Sequence, residues 1–184
     1  MGAITIPSGT LDGLLGGAAA ASGGGLTLLS TTTLSSSSTT ISSISGSYKN
    51  LRVFISGAYN SSSSNFSMRI NGDTGNNYFR ELQTMQNGTQ ANERTNAESA
   101  INIGVLDTST NYNQISQGLL YFPEYTNSLD KYVFVNTVGK GGAAIYQKNG
   151  IAGYDTSSAI TSLTFFPGDG GTFSGGSILI YGES

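Results

Sequence analysis

Punctuation limits this chain's fold more than any other feature. From residue 26 onward, apolar and β-branched residues come in short runs, and clusters of Gly, Asn, Ser or Asp separate them. In residues 51–58 (LRVFISGA), Leu51, Val53 and Ile55 fall on one side and Arg52, Phe54 and Ser56 on the other. That period of two is the mark of a strand with one buried face. Phe66, Met68 and Ile70 share a side in the same way. Further strands are expected over 27–34, 39–44, 78–85, 100–106, 116–125, 132–138, 143–147, 160–166 and 177–181. Turns are expected at 35–38, Asn71-Gly72, Asn87-Gly88, 139–142, Asn149-Gly150 and 167–171. No segment sustains a helical period, and the polar stretch 90–98 reads as a loop. About ten short strands at regular spacing require a sandwich or a barrel. A single open sheet would leave an apolar face in water. The expectation is an all-β, antiparallel β-sandwich of jelly-roll type over 26–184.

Residues 1–25 form a separate block. Ile4, Ile6, Leu11, Leu14 and Leu15 stand among Gly and Ala, and the block ends in Gly23-Gly24-Gly25. Triple glycine reads as a flexible joint. A disordered tail is one reading of 1–25; the spaced apolar residues, which such tails usually lack, favour the other, an extended docking arm with those five residues as its anchors on a partner. No stretch approaches the ~18 apolar residues of a membrane span. No cationic residue precedes the apolar part of the arm, so a signal peptide is not expected either.

Composition narrows the possible functions. Histidine and cysteine are absent from the 184 residues. This removes the commonest general base, Ser-His and Cys-His triads, and thiolate metal sites. Paired carboxylates are the remaining hydrolytic option, but Glu81, Glu93, Glu98, Asp107, Glu124, Asp130, Asp155 and Asp169 are scattered without a motif, and there is no Trp to stack on a sugar. The turns at 71–75 and 167–171 are oxygen-rich, yet lack the alternating acidic ligands of a calcium loop. Their aspartates read as turn stabilisers that accept from backbone N–H groups. The chain is therefore expected not to be an enzyme, with no catalytic, cofactor or metal residues. Charged residues are only 10% of the chain, with 8 Lys+Arg and a net charge of −3. That balance argues against a nucleic-acid partner, and a neutral surface does little to oppose self-association. Phe54, Phe66, Phe134 and Phe165 are expected in the core. Tyr112, Tyr125, Tyr146 and Tyr154 lie near loops; packing is their simpler role, and stacking on a sugar or a neighbouring subunit is the alternative.

Two stretches carry a family resemblance. Residues 68–78 (MRINGDTGNNY) resemble a strand–turn–strand of many tailed-bacteriophage virion proteins. Residues 158–167 (SAITSLTFFP) and 173–182 (FSGGSILIYG) resemble the closing strands of the same proteins, and 26–34 and 51–58 fit that plan. The resemblance covers most of 26–184. It implies a non-catalytic sandwich on the outside of a phage particle: a capsid decoration (cement) protein, or a tail-fibre or tail-tip domain that binds host-surface glycans. Residues 1–25 in place of a long shaft favour decoration. The implied partners are the major capsid protein or other virion subunits, and further copies of this chain, a trimer being the expected assembly. Neither nucleic acid nor membrane is an expected partner.

Overall fold

The computed structural model describes residues 25–108 and 116–184. Within them lie twelve strands: β1 (Leu26–Thr33), β2 (Thr39–Ile41), β3 (Asn50–Asn60), β4 (Ser64–Ile70), β5 (Tyr78–Gln86), β6 (Thr89–Glu98), β7 (Ile101–Leu106), β8 (Ser116–Phe122), β9 (Lys131–Gly141), β10 (Ala144–Tyr154), β11 (Leu163–Pro167) and β12 (Phe173–Glu183). They form an eight-stranded sheet in the order β1-β12-β3-β8-β9-β10-β5-β6 and a four-stranded sheet in the order β2-β11-β4-β7. Every pairing is antiparallel. The expected all-β antiparallel sandwich is what the chain forms.

The strand order also accounts for the jelly roll. With β5–β6 and β9–β10 set aside, the remaining eight strands read β1-β12-β3-β8 in one sheet and β2-β11-β4-β7 in the other. The first four strands thus alternate between sheets, and the last four interleave with them in reverse, which is the double Greek key of a jelly roll. The two additional hairpins pair with each other through β10 and β5, and continue the first sheet beyond β8. This sheet therefore overhangs its partner.

The core lies where the two sheets overlap. Leu51, Val53 and Ile55 of β3, Phe66, Met68 and Ile70 of β4, and Val133 and Val135 of β9 are all buried. Phe66 meets Phe165 and Phe173 at ring-centroid distances of 6.1 and 5.7 Å. Beyond β7 the second sheet ends, and the inner side of the first becomes polar. There Lys148 is buried, and its Nζ donates to both oxygens of Glu93 at 2.8 and 2.9 Å. Thr84 Oγ1 donates to the same carboxylate at 2.5 Å, and Arg80 lies 3.5 Å from it.

Several sequence expectations need correction. Residues 90–98 form most of β6 instead of a loop. They lack an apolar period because β6 is the edge of the overhang, with neither side against the core. Asn149-Gly150 is not a turn but lies mid-strand in β10, paired on both sides. Gly150 is needed there for close approach: its φ is 150°, and a Cβ would stand 2.4 Å from Glu81 O. Phe134 is 48% exposed on the outer side of β9, and Phe54 is half-buried on the outer side of β3. Strand membership made both look like core, but their parity turns them outward.

Candidate interaction surface

The second sheet leaves the outer side of the eight-stranded sheet uncovered, and Leu28, Tyr132, Phe134, Val138 and Ile151 are exposed there. Directly opposed residues share a sheet face, so the register gives its rows. One row crosses all eight strands: Leu28, Tyr181, Arg52, Tyr121, Phe134, Ile151, Glu81 and Arg94. The next runs Thr31, Leu179, Phe54, Leu119, Asn136, Asn149, Gln83 and Asn92. The two rows divide the sheet into two chemistries. From β1 to β9 the two rows are mainly aliphatic and aromatic, interrupted by Thr31, Arg52 and Asn136; over β10, β5 and β6 they hold three amides, one acid and one base beside Ile151.

The apolar half is partly ordered by its own contacts. Phe54 and Tyr181 meet edge to face at 5.5 Å. Arg52 stands 5.4 Å above the Tyr121 ring and donates through Nη2 to Glu183 at 2.7 Å. That hydrogen bond holds the Glu183 carboxyl below the usual range and raises the guanidinium. The charge is thus neutralised locally, while Leu28, Tyr132, Phe134 and Val138 remain 48–52% exposed.

The sheet's two edges differ. β6 carries Glu93, Arg94 and Glu98, the charges that discourage strand addition. β1 has no charge and no proline along Leu26–Thr33, and its pairing shifts register once, between Leu28 and Ser30. The anchors Ile4, Ile6, Leu11, Leu14 and Leu15 of the expected docking arm lie outside the described residues, as does Tyr112. The described residues begin immediately before β1.

The other sequence candidates are dispersed. Tyr125 is fully buried and Tyr154 is buried, so neither serves as an exposed stacking platform; Tyr146 is half-exposed. Tyr154 stacks on Tyr78 at 4.9 Å and donates to Asp73 Oδ2 at 2.8 Å. Burial pushes both phenols up to about 12. Asp73 also accepts from Asn77 Nδ2 at 2.8 Å and Gly75 N at 2.7 Å, and these bonds hold its carboxyl low. Its oxygens thus fix the 71–75 turn to the body of the sandwich. Asp169 accepts from Asn65 N at 2.8 Å. Asp107 accepts from Thr108 N at 2.7 Å, Ser63 Oγ at 2.9 Å and Gly142 N at 2.5 Å. Burial alone would raise Asp107, but these bonds prevail and lower it. Among the described residues, no three acids, histidines or cysteines gather as a metal site.

A cleft of about 240 Å³ beside β4 and β7 contains Arg69, Arg80, Glu98 and Asp169. Its charged groups engage their neighbours: Arg69 Nε donates to Ser99 O at 2.9 Å, and the guanidinium stacks on Phe166 at 4.4 Å. A larger groove, about 620 Å³, opens on the outer side of β10, β5 and β6, where the amide rows lie. Sequence reasoning missed this surface because only the register brings its residues together. Comparison with protein-family models, with curated proteins and with solved structures finds no match.

Proposed function

We propose that this chain is a non-catalytic phage virion protein, a decoration (cement) protein of the capsid that docks on the shell and stabilises it. The observation that carries this reading is the apolar half of the outer sheet face. Outward positions of an antiparallel sandwich are normally polar, whereas here Leu28, Tyr181, Tyr121 and Phe134 occupy one register row. An exposed apolar patch of this kind marks an interaction surface. The β1 edge, with no charge and no proline along Leu26–Thr33, extends the surface along one side. The resemblance of 68–78 and 158–182 to virion proteins supplies the particle as the setting. Shell subunits and further copies of the chain are the partners.

Particles stripped of the protein and then reconstituted with variants test this reading. Leu28→Glu and Phe134→Glu place charge on the apolar rows at half-exposed sites, and urea midpoints of both variants measure the packing lost, which for Phe134 includes its contact with Tyr121. Both variants are expected to fold and to lose particle binding. Full binding by both would overturn the assignment of this face. A tail-fibre or tail-tip position is the alternative placement, and copy number separates it from decoration.

A further inference from the structure

We propose that the loop between β8 and β9 closes itself covalently, through an isopeptide bond between the Lys131 side chain and the Asn127 carboxamide. This is a single self-modification without turnover, and it does not depend on the docking role. Lys131 opens β9 and is 1% exposed. Its Nζ donates to Asn127 Oδ1 at 3.2 Å and to Asn127 O at 2.7 Å; Leu129 O and Thr156 O also accept from it. The carboxamide carbon lies one C=O bond beyond Oδ1, within about 4.4 Å of Nζ. An amine and an amide are thus held together out of water. The other buried lysine, Lys148, has the Glu93 carboxylate as its partner. Among the described residues, no carboxylate lies within ion-pair distance of Lys131. Burial therefore lowers its ammonium, with Asp130 alone opposing, which favours the neutral, nucleophilic amine.

Two further contacts align the amide. Asn127 Nδ2 donates to Glu124 Oε2 at 3.4 Å, and Asn127 Oδ1 accepts from Leu129 N at 3.1 Å. The loop backbone holds both groups: Asn127 N donates to Glu124 O at 3.0 Å, and Glu124 N donates to Asn50 Oδ1 at 3.0 Å. Acyl transfer from an amide needs a nucleophile, an oxyanion donor and a proton carrier, and these residues supply all three. The neutral amine keeps two donors for the surrounding carbonyls and turns its lone pair to Cγ. As the Nζ–Cγ bond forms, the C=O electron pair moves onto Oδ1, where the Leu129 N–H stabilises it. The Glu124 carboxylate takes one proton from Nζ and delivers it to Nδ2. The Cγ–Nδ2 bond then breaks, ammonia leaves and the carbonyl re-forms. No oxidant or co-reactant enters the balance. The product replaces a buried amine, costly to charge, with a neutral amide that ties the loop to the start of β9.

Intact-mass spectrometry of the purified full-length protein, denatured after incubation in the folded state, reads the bond directly. The mass is expected to fall below that of the sequence by one ammonia. Trypsin should no longer cleave after Lys131, whose charge is gone, and tandem spectra should place the link between residues 127 and 131. A cyclised Asn-Gly pair loses the same mass, but it takes up water in mild base, and the isopeptide does not. Asn127→Ala should restore the full sequence mass. Glu124→Gln, at an exposed position, should slow linkage about a hundredfold, the low end for general acid–base catalysis. The full sequence mass in the parent after prolonged incubation would overturn the proposal, as would an ammonia loss that maps elsewhere or persists in Asn127→Ala. Linkage at the parent's rate in Glu124→Gln would overturn the role given to that carboxylate.

Discussion

Glu93 and Lys148 show what the overhang demands of individual side chains. Burial disfavours charge on both. It lowers the Lys148 ammonium despite the opposing carboxylate. It would raise Glu93, but hydrogen bonds from Lys148 and Thr84 and the neighbouring cations outweigh it and leave that carboxyl low. The two shifts disagree about whether the pair favours ionisation. The contact geometry, bidentate at 2.8 and 2.9 Å, supports an ionised pair. Breaking such a pair strands the buried partner. Glu93→Gln should cost about 3 kcal/mol, the low end for buried pairs because Glu93 keeps some solvent contact. Glu93→Leu with Lys148→Met should recover most of that loss. Urea midpoints of the single and double variants check both. Stability should also respond to acid. The carboxyls of Asp73, Glu93 and Asp107 are lower in the folded chain than in the unfolded one. Their contribution is complete above the unfolded value of about 4 and is lost as pH falls through the folded values. The thermal midpoint should hold down to about pH 5 and drop steeply below pH 4. Asp73→Asn should make that drop shallower.

At the scale of elements, the chain's legibility followed the apolar period. β3 and β4 could be read directly, because Leu51, Val53, Ile55, Phe66, Met68 and Ile70 alternate as a half-buried sheet requires. Phe66→Ala should cost about 3–5 kcal/mol, since the ring is fully buried between two others; denaturant unfolding measures it. β6 could not be read, since a strand with neither side against the core carries no period. The Asn149-Gly150 pair misled for another reason. The dipeptide is a turn signal, but Gly is equally required where two backbones approach. Gly150→Ala should therefore destabilise strongly in spite of its small size, with the β5–β10 amides losing hydrogen-exchange protection first. Phe134 shows the same limit. A strand pattern reveals two faces, and the register then shows which of them a second sheet covers.

At the scale of the whole molecule, the additional hairpins are the distinctive feature. A jelly roll of eight strands would have two sheets of equal width. Here β9–β10 and β5–β6 widen one sheet; β10, β5 and β6 carry the amides Asn149, Gln83 and Asn92, while the strands from β1 to β9 carry most of the apolar positions. The fold class was legible in the sequence; the division of the outer face was not, because its residues come from eight strands far apart in the chain. In the proposed role the apolar rows meet the shell, and the segment of residues 1–25 extends the contact from the β1 edge. Removal of residues 1–25 should leave the urea midpoint of the remaining chain unchanged and abolish its binding to stripped particles. Normal binding by the shortened chain would exclude a docking role for Ile4, Ile6, Leu11, Leu14 and Leu15.

The proposed virion assignment is tested most directly by quantitative mass spectrometry of particles purified from cultures that express this gene, normalised to the major shell protein. The decoration reading predicts a copy number comparable to that of the shell subunit. A ratio of a few per cent or less, or absence from the particle, would contradict it.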